Sequence, residues 1–413
     1  MVKKKQQTPA EKRRKELIKE LYDAGELRDA EDINNLIKEM IGNIVSGILE
    51  GEMDDHLGYE KYDRENKESA NSRNGYNNKA LQTSYGETDL KVPRDRAGEY
   101  DPEIIKKYKK SVNKEIERKI ISMYAKGMTT GDMEEHIKEL YGFEISDSTI
   151  SRITDKVLPL AKEWQSRPLK EIYAVIFMDA IHYHVRQEGR VIKKAVYIAL
   201  GINLDGESDI LGLWIGENES AKYWLSVMNE IQARGVKDIL IACVDGLTGF
   251  NNAISTVFPK TEIQRCVIHQ IRNSTKYVSY KDVRKLMKDL KAVYNALNEE
   301  SALAALDEFE DIWGKKYPKI GISWRNHWAE LATYFKYPQV VRTLIYTTNR
   351  IENYNRQLRK VTKNKGIFPT DDSLFKMLYL ITVDKTKKWT GKVKNWGVIH
   401  SQLSIYFEDR IPG

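Results

Sequence analysis

Apolar positions along the chain change their spacing several times, and each spacing predicts a different element. Between Ala30 and Leu57 they recur every three or four residues, at Ile33, Ile37, Met40, Ile41, Ile44, Val45 and Ile48. That spacing gives a long helix one apolar face. A face so rich in isoleucine serves either a core or a dimer interface. Residues 60–80 carry no period. "LQTSYGETDLKVPRD" then alternates, with a turn at Gly86–Glu87 and Pro93 ending the second run, which reads as a hairpin. With "SRNGY" before it, the hairpin suits either a DNA backbone or plain packing. Asn113–Leu158 reads as three helices: one ends at Gly127, one runs from the threonines of "TTGDM" to Gly142, and one runs from Ser146 or Asp147 to Pro159. Two short helices around a glycine turn predict a helix-turn-helix. Ser148, Thr149, Ser151 and Arg152 would then face a DNA groove and its phosphates. Pro159–Pro168 reads as a linker.

Beyond Pro168 strands and helices alternate. "IYAVIFMD", "RVIKKAVYIALGIN" and "SDILGLWIGE" read as three strands. An amphipathic helix follows, with Ala221, Trp224, Leu225, Met228 and Ile231 on one face. "VKDILIACVD" is a fourth strand, "GLTGFNNAISTVFP" a short helix and "TEIQRCVIHQ" a fifth strand. Lys276–Tyr337 is helical in pattern throughout. "TTNRIENYNRQLRKVTKNK" is a last strong helix, capped at Thr347 or Thr348, with Ile351, Leu358 and Val361 on its packed face. Glu352, Asn355, Arg356 and Arg359 form its opposite stripe. This element order predicts an α/β core with a ribonuclease H-like mixed sheet and an all-helical insertion, preceded by α-helical and small β modules. The expected segments are 1–60 (basic tail and helical dimerisation region), 61–110 (β module) and 111–165 (helix-turn-helix). The core follows as 166–275, its helical insertion as 276–345, and the last helix and C-terminal region as 346–413.

Charge adds little as a total and more as a distribution. Lysine and arginine number 67 against 60 acids, a net +7 that is too mild to establish a nucleic-acid partner. Basic clusters at "VKKK", "EKRRK" (Glu11–Lys15), "KKYKK" (Lys106–Lys110) and "NRQLRKVTKNK" (Asn355–Lys365) suit either phosphates or solvated helix faces. Two cysteines, Cys243 and Cys266, in so long a chain argue against a disulfide framework and fit a reducing cytosol. No apolar run approaches the ~18 residues of a membrane span, and no signal-peptide core is present at the basic start.

The candidate chemistry lies in acids placed at strand ends. The first core strand is read as ending on Asp179 and the fourth on Asp245. These strands are neighbours in such a sheet, so the two carboxylates meet at one edge, and the late helix carries Glu352 across to them. Three carboxylates repel at close range, and a hard divalent cation resolves the conflict. Two Mg²⁺ ions, with Mn²⁺ a possible substitute, would clamp the oxygens of a phosphoryl displacement. Cys266 and His269 lack two further zinc ligands at matching spacing. They read as a buried thiol under a histidine, or as a site in which His269 faces the metal centre.

The chain resembles bacterial insertion-sequence transposases of the Mutator-like group, in the superfamily that uses two aspartates and a glutamate. The resemblance rests on "RNGY" (Arg73–Tyr76), "VPRDRAGEYDP" (Val92–Pro102), "MYAKGMTTGDM" (Met123–Met133), "MDAIHYHVR" (Met178–Arg186), "VDGLTGF" (Val244–Phe250), "RCVIHQIRN" (Arg265–Asn273) and "TTNRIENYNRQLRKVTKNKGIFPTDDS" (Thr347–Ser373). It implies Asp179, Asp245 and Glu352 as catalytic triad, and it puts the family's Cys-x-x-His signature on Cys266 and His269.

The expected activity is therefore Mg²⁺-dependent cleavage and strand transfer at the terminal inverted repeats of an insertion sequence. Arg73, Arg94, Arg96, Arg356, Arg359, Lys360 and Lys363 are the further expected DNA contacts. The partners would be double-stranded DNA, both end and target, and a second copy of the chain on that DNA, with no membrane. The protein would be cytoplasmic and bacterial, on the nucleoid when DNA-bound. The alternatives are a catalytically silent DNA-binding regulator and a structure-selective nuclease of the same fold.

Overall fold

The computed structural model describes residues 27–63, 69–83, 86–103, 114–141, 144–246, 249–276 and 278–412, with isolated positions between 13 and 25. The basic clusters "VKKK" and Lys106–Lys110, most of "EKRRK" and the helix end at Gly142 lie outside the described residues. The chain divides into two compact units. One comprises Met1–Met123 and Thr129–Ile153; the other comprises Tyr124–Met128 and Thr154–Gly413.

In the first unit, helix α1 spans Ala30–Leu57. The Asp29 side chain accepts from the N–H groups of Glu31 and Asp32, and Gly58 closes the helix at φ 75°. Strands β1 (Arg73–Thr83) and β2 (Gly86–Asp95) pair antiparallel, with Thr83 opposite Gly86. Gly86 therefore belongs to β2 rather than to a turn, and Pro93 stays inside the strand. A two-stranded ribbon has only edge strands, so the missing proline N–H breaks no ladder. Leu49 of α1 packs on Leu90 of β2, flanked by Val45, Leu81 and Val92. Asp95 accepts hydrogen bonds from Asn71 Nδ2 and from the Glu99 and Tyr100 N–H groups. Burial alone would raise its pKa, but these donors bring it down to about 2. The other face of α1 leaves Ile33, Met40, Ile44 and Ile48 exposed. Helices α2 (Lys114–Ala125), α3 (Thr130–Tyr141) and α4 (Asp147–Asp155) follow. A reciprocal bond between Thr129 and Asp132 starts α3.

In the second unit, Leu158–Ser166 forms helix α5 rather than a linker. Pro159 lies in its first turn, where the absent N–H is harmless and the fixed φ is already helical. Five strands follow: β3 (Ile172–Gln187), β4 (Arg190–Asn203), β5 (Ser208–Gly216), β6 (Asp238–Val244) and β7 (Glu262–Arg265). Their order in the sheet is β5-β4-β3-β6-β7. The first three are antiparallel, and β6 and β7 run parallel to β3. Helices α6 (Ala221–Ala233) and α7 (Phe250–Val257) cover one face, burying Trp224, Met228, Ile231, Phe250 and Ile254 against Tyr173, Ile176, Met178 and Tyr197.

After β7 comes α8 (Val267–Thr275), and then the chain is helical as far as Lys336: α9 (Tyr280–Tyr294), α10 (Glu299–Trp313), α11 (Pro318–Asn326), α12 (Trp328–Leu331) and a 3-10 turn at Thr333–Lys336. Gln264 of β7 anchors this stretch: its Nε2 donates to Leu331 O and its Oε1 accepts from Tyr334 N–H. Of the tryptophans here, Trp324 is buried and donates to Ser274, while Trp313 donates to Asp289. Both are packing residues. Helices α13 (Gln339–Ile345), α14 (Asn349–Thr362), α15 (Asp371–Thr386) and α16 (Trp396–Tyr406) complete the unit. Helix α14 packs on β3 and α15 on β5.

Candidate active site

Strand β3 does not stop at Asp179. It continues to Gln187 because β4 supplies an antiparallel partner for every residue of the extension. Ile181, Tyr183 and Val185 point inward there, and His182, His184 and Arg186 outward. What does stop beside Asp179 is the parallel ladder. Its last pair is Met178 with Val244, so Asp179 and Asp245 are the next residues on neighbouring strands. That shared register brings the two carboxylates to one place. Asp179 is largely buried. Its Oδ1 accepts from the Ala180 N–H at 2.8 Å, and its Oδ2 accepts from Asn355 Nδ2 at 2.6 Å.

Helix α8 approaches from the same end of the sheet. The Cys266 N–H donates to Val244 O at 2.8 Å, so the helix starts where β6 finishes. His269 and Arg272, three residues apart, share one side of it. His269 Nε2 lies 3.2 Å from Glu352 Oε1. Arg272 grips the same carboxylate twice, at 2.8 and 3.2 Å. Helix α14 therefore reaches the site at two levels: Glu352 meets the cations of α8, and Asn355, one turn on, meets Asp179. Asn355 is almost fully buried, and its Oδ1 has no partner among the described residues.

The electrostatics follow from burial and crowding. Burial, and then the Asp245 carboxylate, push Asp179 up to about 6, against the opposing pull of His269, the Ala180 N–H and Arg359. Glu219, in the loop after β5, rises to about 7 through burial and then the fields of Asp245 and Asp179. Its Oε1 is buried with no hydrogen-bond partner among the described residues. Contact with Cys266 raises His269 to about 9 over the downward pull of burial, with Asp179 and Asp245 adding to the rise. The imidazole is then a cation at neutral pH. Burial alone would raise the Cys266 thiol, but His269 and the Thr348 hydroxyl, which donates to Sγ at 3.2 Å, bring it down. Thr348 thus spends its hydroxyl on Cys266 rather than capping α14. Cys243 is wholly buried, its thiol raised by that burial, and donates to Ile345 O.

The structure thus gathers Asp179, Asp245, His269 and Glu352 around one end of the sheet. Sequence reasoning missed Arg272, Asn355 and Glu219. Asn355 lies on the stripe it shares with Glu352, opposite the packed face, and the structure buries its amide against Asp179. Arg356, Arg359, Lys360 and Lys363 are exposed on α14 or just past it. Ser148 and Arg152 are exposed on α4, Ser151 is half-buried, and Thr149 bonds back to Ser146. Arg94 and Arg96 are exposed, whereas the Arg73 guanidinium is turned inward onto Asp54, the Tyr59 carbonyl and the Tyr59 ring.

The donor chemistry fits a hard divalent cation: carboxylate oxygens whose pKa values are raised by burial first and then by one another's charge. As the side chains stand, no group of three His, Cys, Asp or Glu among the described residues is drawn close enough to hold one. Glu352 is the member turned aside, onto Arg272 and His269.

Residues 12–392 match the family described as Transposase, Mutator family. The chain is 43% identical over 397 residues to the transposase for insertion sequence element ISRM3 of Rhizobium meliloti, covering 96% of this chain and 98% of that one. It is 31% identical over 383 residues to the transposase for insertion sequence element IS905 of Lactococcus lactis, covering 92% and 97%. A solved Drosophila P element transposase strand transfer complex aligns with 68% of this chain and 93% of its own at 8% identity; its TM-score of 0.34 is too slight to bear on the fold. No helix among the described residues is long and apolar enough to cross a membrane.

Proposed function

The chain belongs to the Mutator family of transposases, and from that premise we propose that it binds the terminal inverted repeats of its insertion sequence and catalyses Mg²⁺-dependent strand cleavage and strand transfer. The observation that carries the chemistry is the meeting of Asp179 and Asp245 at the end of the β3–β6 ladder, with α14 bringing Glu352 and Asn355 to the same place. A central long strand with an antiparallel meander of two strands on one side and two parallel strands on the other supports a ribonuclease H-like core.

Asp179, Asp245 and Glu352 would hold two Mg²⁺ ions, or Mn²⁺ in their place. Bound there, the ions neutralise charge on the phosphate and make an attacking hydroxyl more acidic. The rest is done by the chain. Asn355 fixes the Asp179 carboxylate through its Oδ2. Arg272 and His269 hold the Glu352 carboxylate beside the site. The His269 imidazolium, released from Glu352, can donate an N–H to a phosphate oxygen. Arg356, Arg359, Lys360 and Lys363 neutralise the backbone leading to the centre.

Helices α3 and α4 would read the element end as a helix-turn-helix through Ser148, Ser151 and Arg152, with Arg94 and Arg96 on the backbone. The exposed Ile33, Met40, Ile44 and Ile48 would pair two copies, so that two ends are processed together.

The test is cleavage and joining of element-end DNA in the presence of Mg²⁺. Asp179→Ala, Asp245→Ala and Glu352→Ala are each expected to abolish both reactions while end binding is kept. Full activity in any one of them would remove that residue from the triad. Joined end-to-target products, as opposed to nicks alone, separate a transposase from a nuclease of the same fold.

A further inference from the structure

On the far flank of α14 lies a second cleft, its larger end walled largely by apolar side chains such as Val340, Leu344 and Ile399 and its smaller end by polar and cationic ones. Two contiguous cavities, of about 640 and 290 Å³, share Arg350, Val393 and Lys394 in their walls. The cationic lining is Arg350, Lys388, Lys392 and Lys394, with the amides of Asn353 and Gln357 between them; no carboxylate lines either cavity. None of the four cations forms an ion pair among the described residues. Asp384, on the helix leading into the lysine segment, is bound by Lys385 at 2.9 Å and feels Lys388 only through its field. Arg350 is half-buried, and burial pulls its guanidinium below its ordinary pKa, with no anion beside it among the described residues to offset that cost.

The lysines are not on a loose strap. The Val393 N–H donates to Gly206 O at 2.9 Å, and the Trp396 indole donates to Leu204 O at 2.9 Å. Trp396 also lies flat against Gly206, whose φ of 83° and absent Cβ make that approach possible. Both ends of the lysine segment are therefore fixed, by α15 on one side and the β4–β5 turn on the other.

The cleft and the carboxylates are separated by the helix itself. Glu352, Asn355 and Arg359 form one stripe of α14; Arg350, Asn353 and Gln357 form another with the same spacing, two residues out of step. Two residues are about 200° of helix rotation, so the stripes look in nearly opposite directions. A backbone lying in the cleft is therefore not the one whose phosphate sits at Asp179 and Asp245.

We propose that this cleft binds the sugar–phosphate backbone of a second DNA duplex, the target into which the element end is joined. Four unpaired cations, flanked by amides that hydrogen-bond phosphate oxygens, suit a polyanion read without regard to sequence. The inference rests on the transposase reading of the carboxylate centre, and the test separates the two.

The full chain carrying Lys388→Gln, Lys392→Gln and Lys394→Gln together is compared with the unmodified chain in three measurements, after the two are shown to unfold at the same temperature. Arg350→Gln serves as an independent second variant. Binding to a sequence-unrelated duplex, followed against salt, should lose about 0.9 in log–log slope per lysine removed, so about 2.7 in all. Joining of a pre-cut end to a plasmid target should fall at least tenfold and recover as target concentration rises. Binding and cleavage of the element-end duplex should stay within twofold. Unrelated-duplex binding that is unchanged within twofold overturns the proposal. An equal loss in element-end binding also overturns it, because the cleft then serves the end duplex. If the unmodified chain binds unrelated duplex with the full slope yet cuts and joins nothing, it is the transposase reading that fails.

Discussion

Replacing Asp179 by asparagine should make the metal-free protein more stable, and only above a certain pH. The buried carboxyl takes up its proton at about 6 rather than at the ordinary 3.8. A group with a raised folded-state pKa gives its full stability below the unfolded value and loses it as pH rises through the folded one. Ionised at pH 8, Asp179 therefore costs the second unit about 3 kcal/mol, two pKa units at about 1.4 kcal/mol each. The substitution removes that charge with little loss of bonding. One side-chain oxygen can still accept from the Ala180 N–H. The Asn355 amide can turn over, offering its unpartnered Oδ1 to the new NH₂ group. The assay is urea unfolding in excess chelator at pH 4 and pH 8. Asp179→Asn should match the parent at pH 4 and exceed it by about 2–3 kcal/mol at pH 8. Saturating Mg²⁺ should reverse the order, since only the parent gains from the ion. No gain at pH 8, or an equal gain at pH 4, would refute crowding of buried negative charge as the basis of the site.

Three further outcomes are expected. His269 is held as a cation up to about pH 9, so cleavage that relies on its N–H should decline as pH rises through 9, and His269→Gln should lower activity and flatten that limb of the profile. Lys194 is buried and bonds Asp371 at 2.6 Å; Asp371→Ala should cost about 2 kcal/mol in chemical unfolding, and adding Lys194→Met should recover most of it. Gly127 sits at φ 91° with the place of a Cβ 2.2 Å from the Val361 carbonyl oxygen. Gly127→Ala should therefore destabilise the second unit by about 3 kcal/mol, read as a lower unfolding midpoint.

Much of the core was readable from periodicity, because its strands are continuous apolar runs and its helices have one apolar face. The misreadings have physical causes. Asp179 looks like a strand end because the apolar run stops there. The following Ile-His-Tyr-His-Val-Arg nevertheless alternates, and it stays extended because β4 pairs with it on one side after β6 has ended. Pro159 looks like a stop but serves as a start. The site was legible only in part. Asp179, Asp245 and Glu352 stand out as acids in matching fold positions. Asn355 and Arg272 owe their roles to partners 176 and 80 residues away, which no local spacing reveals. Glu219 sits in "GENES", where an acid reads as an ordinary loop residue until the sheet buries it beside Asp245.

The most direct test of the central claim is a calorimetric titration of Mn²⁺ into the complex of the chain with its element-end DNA. Two ions should bind to the parent, and Glu352→Ala should lose at least one of them or weaken it more than tenfold, as should Asp179→Ala and Asp245→Ala. Unchanged stoichiometry and affinity in Glu352→Ala would contradict a shared acidic centre built from β3, β6 and α14.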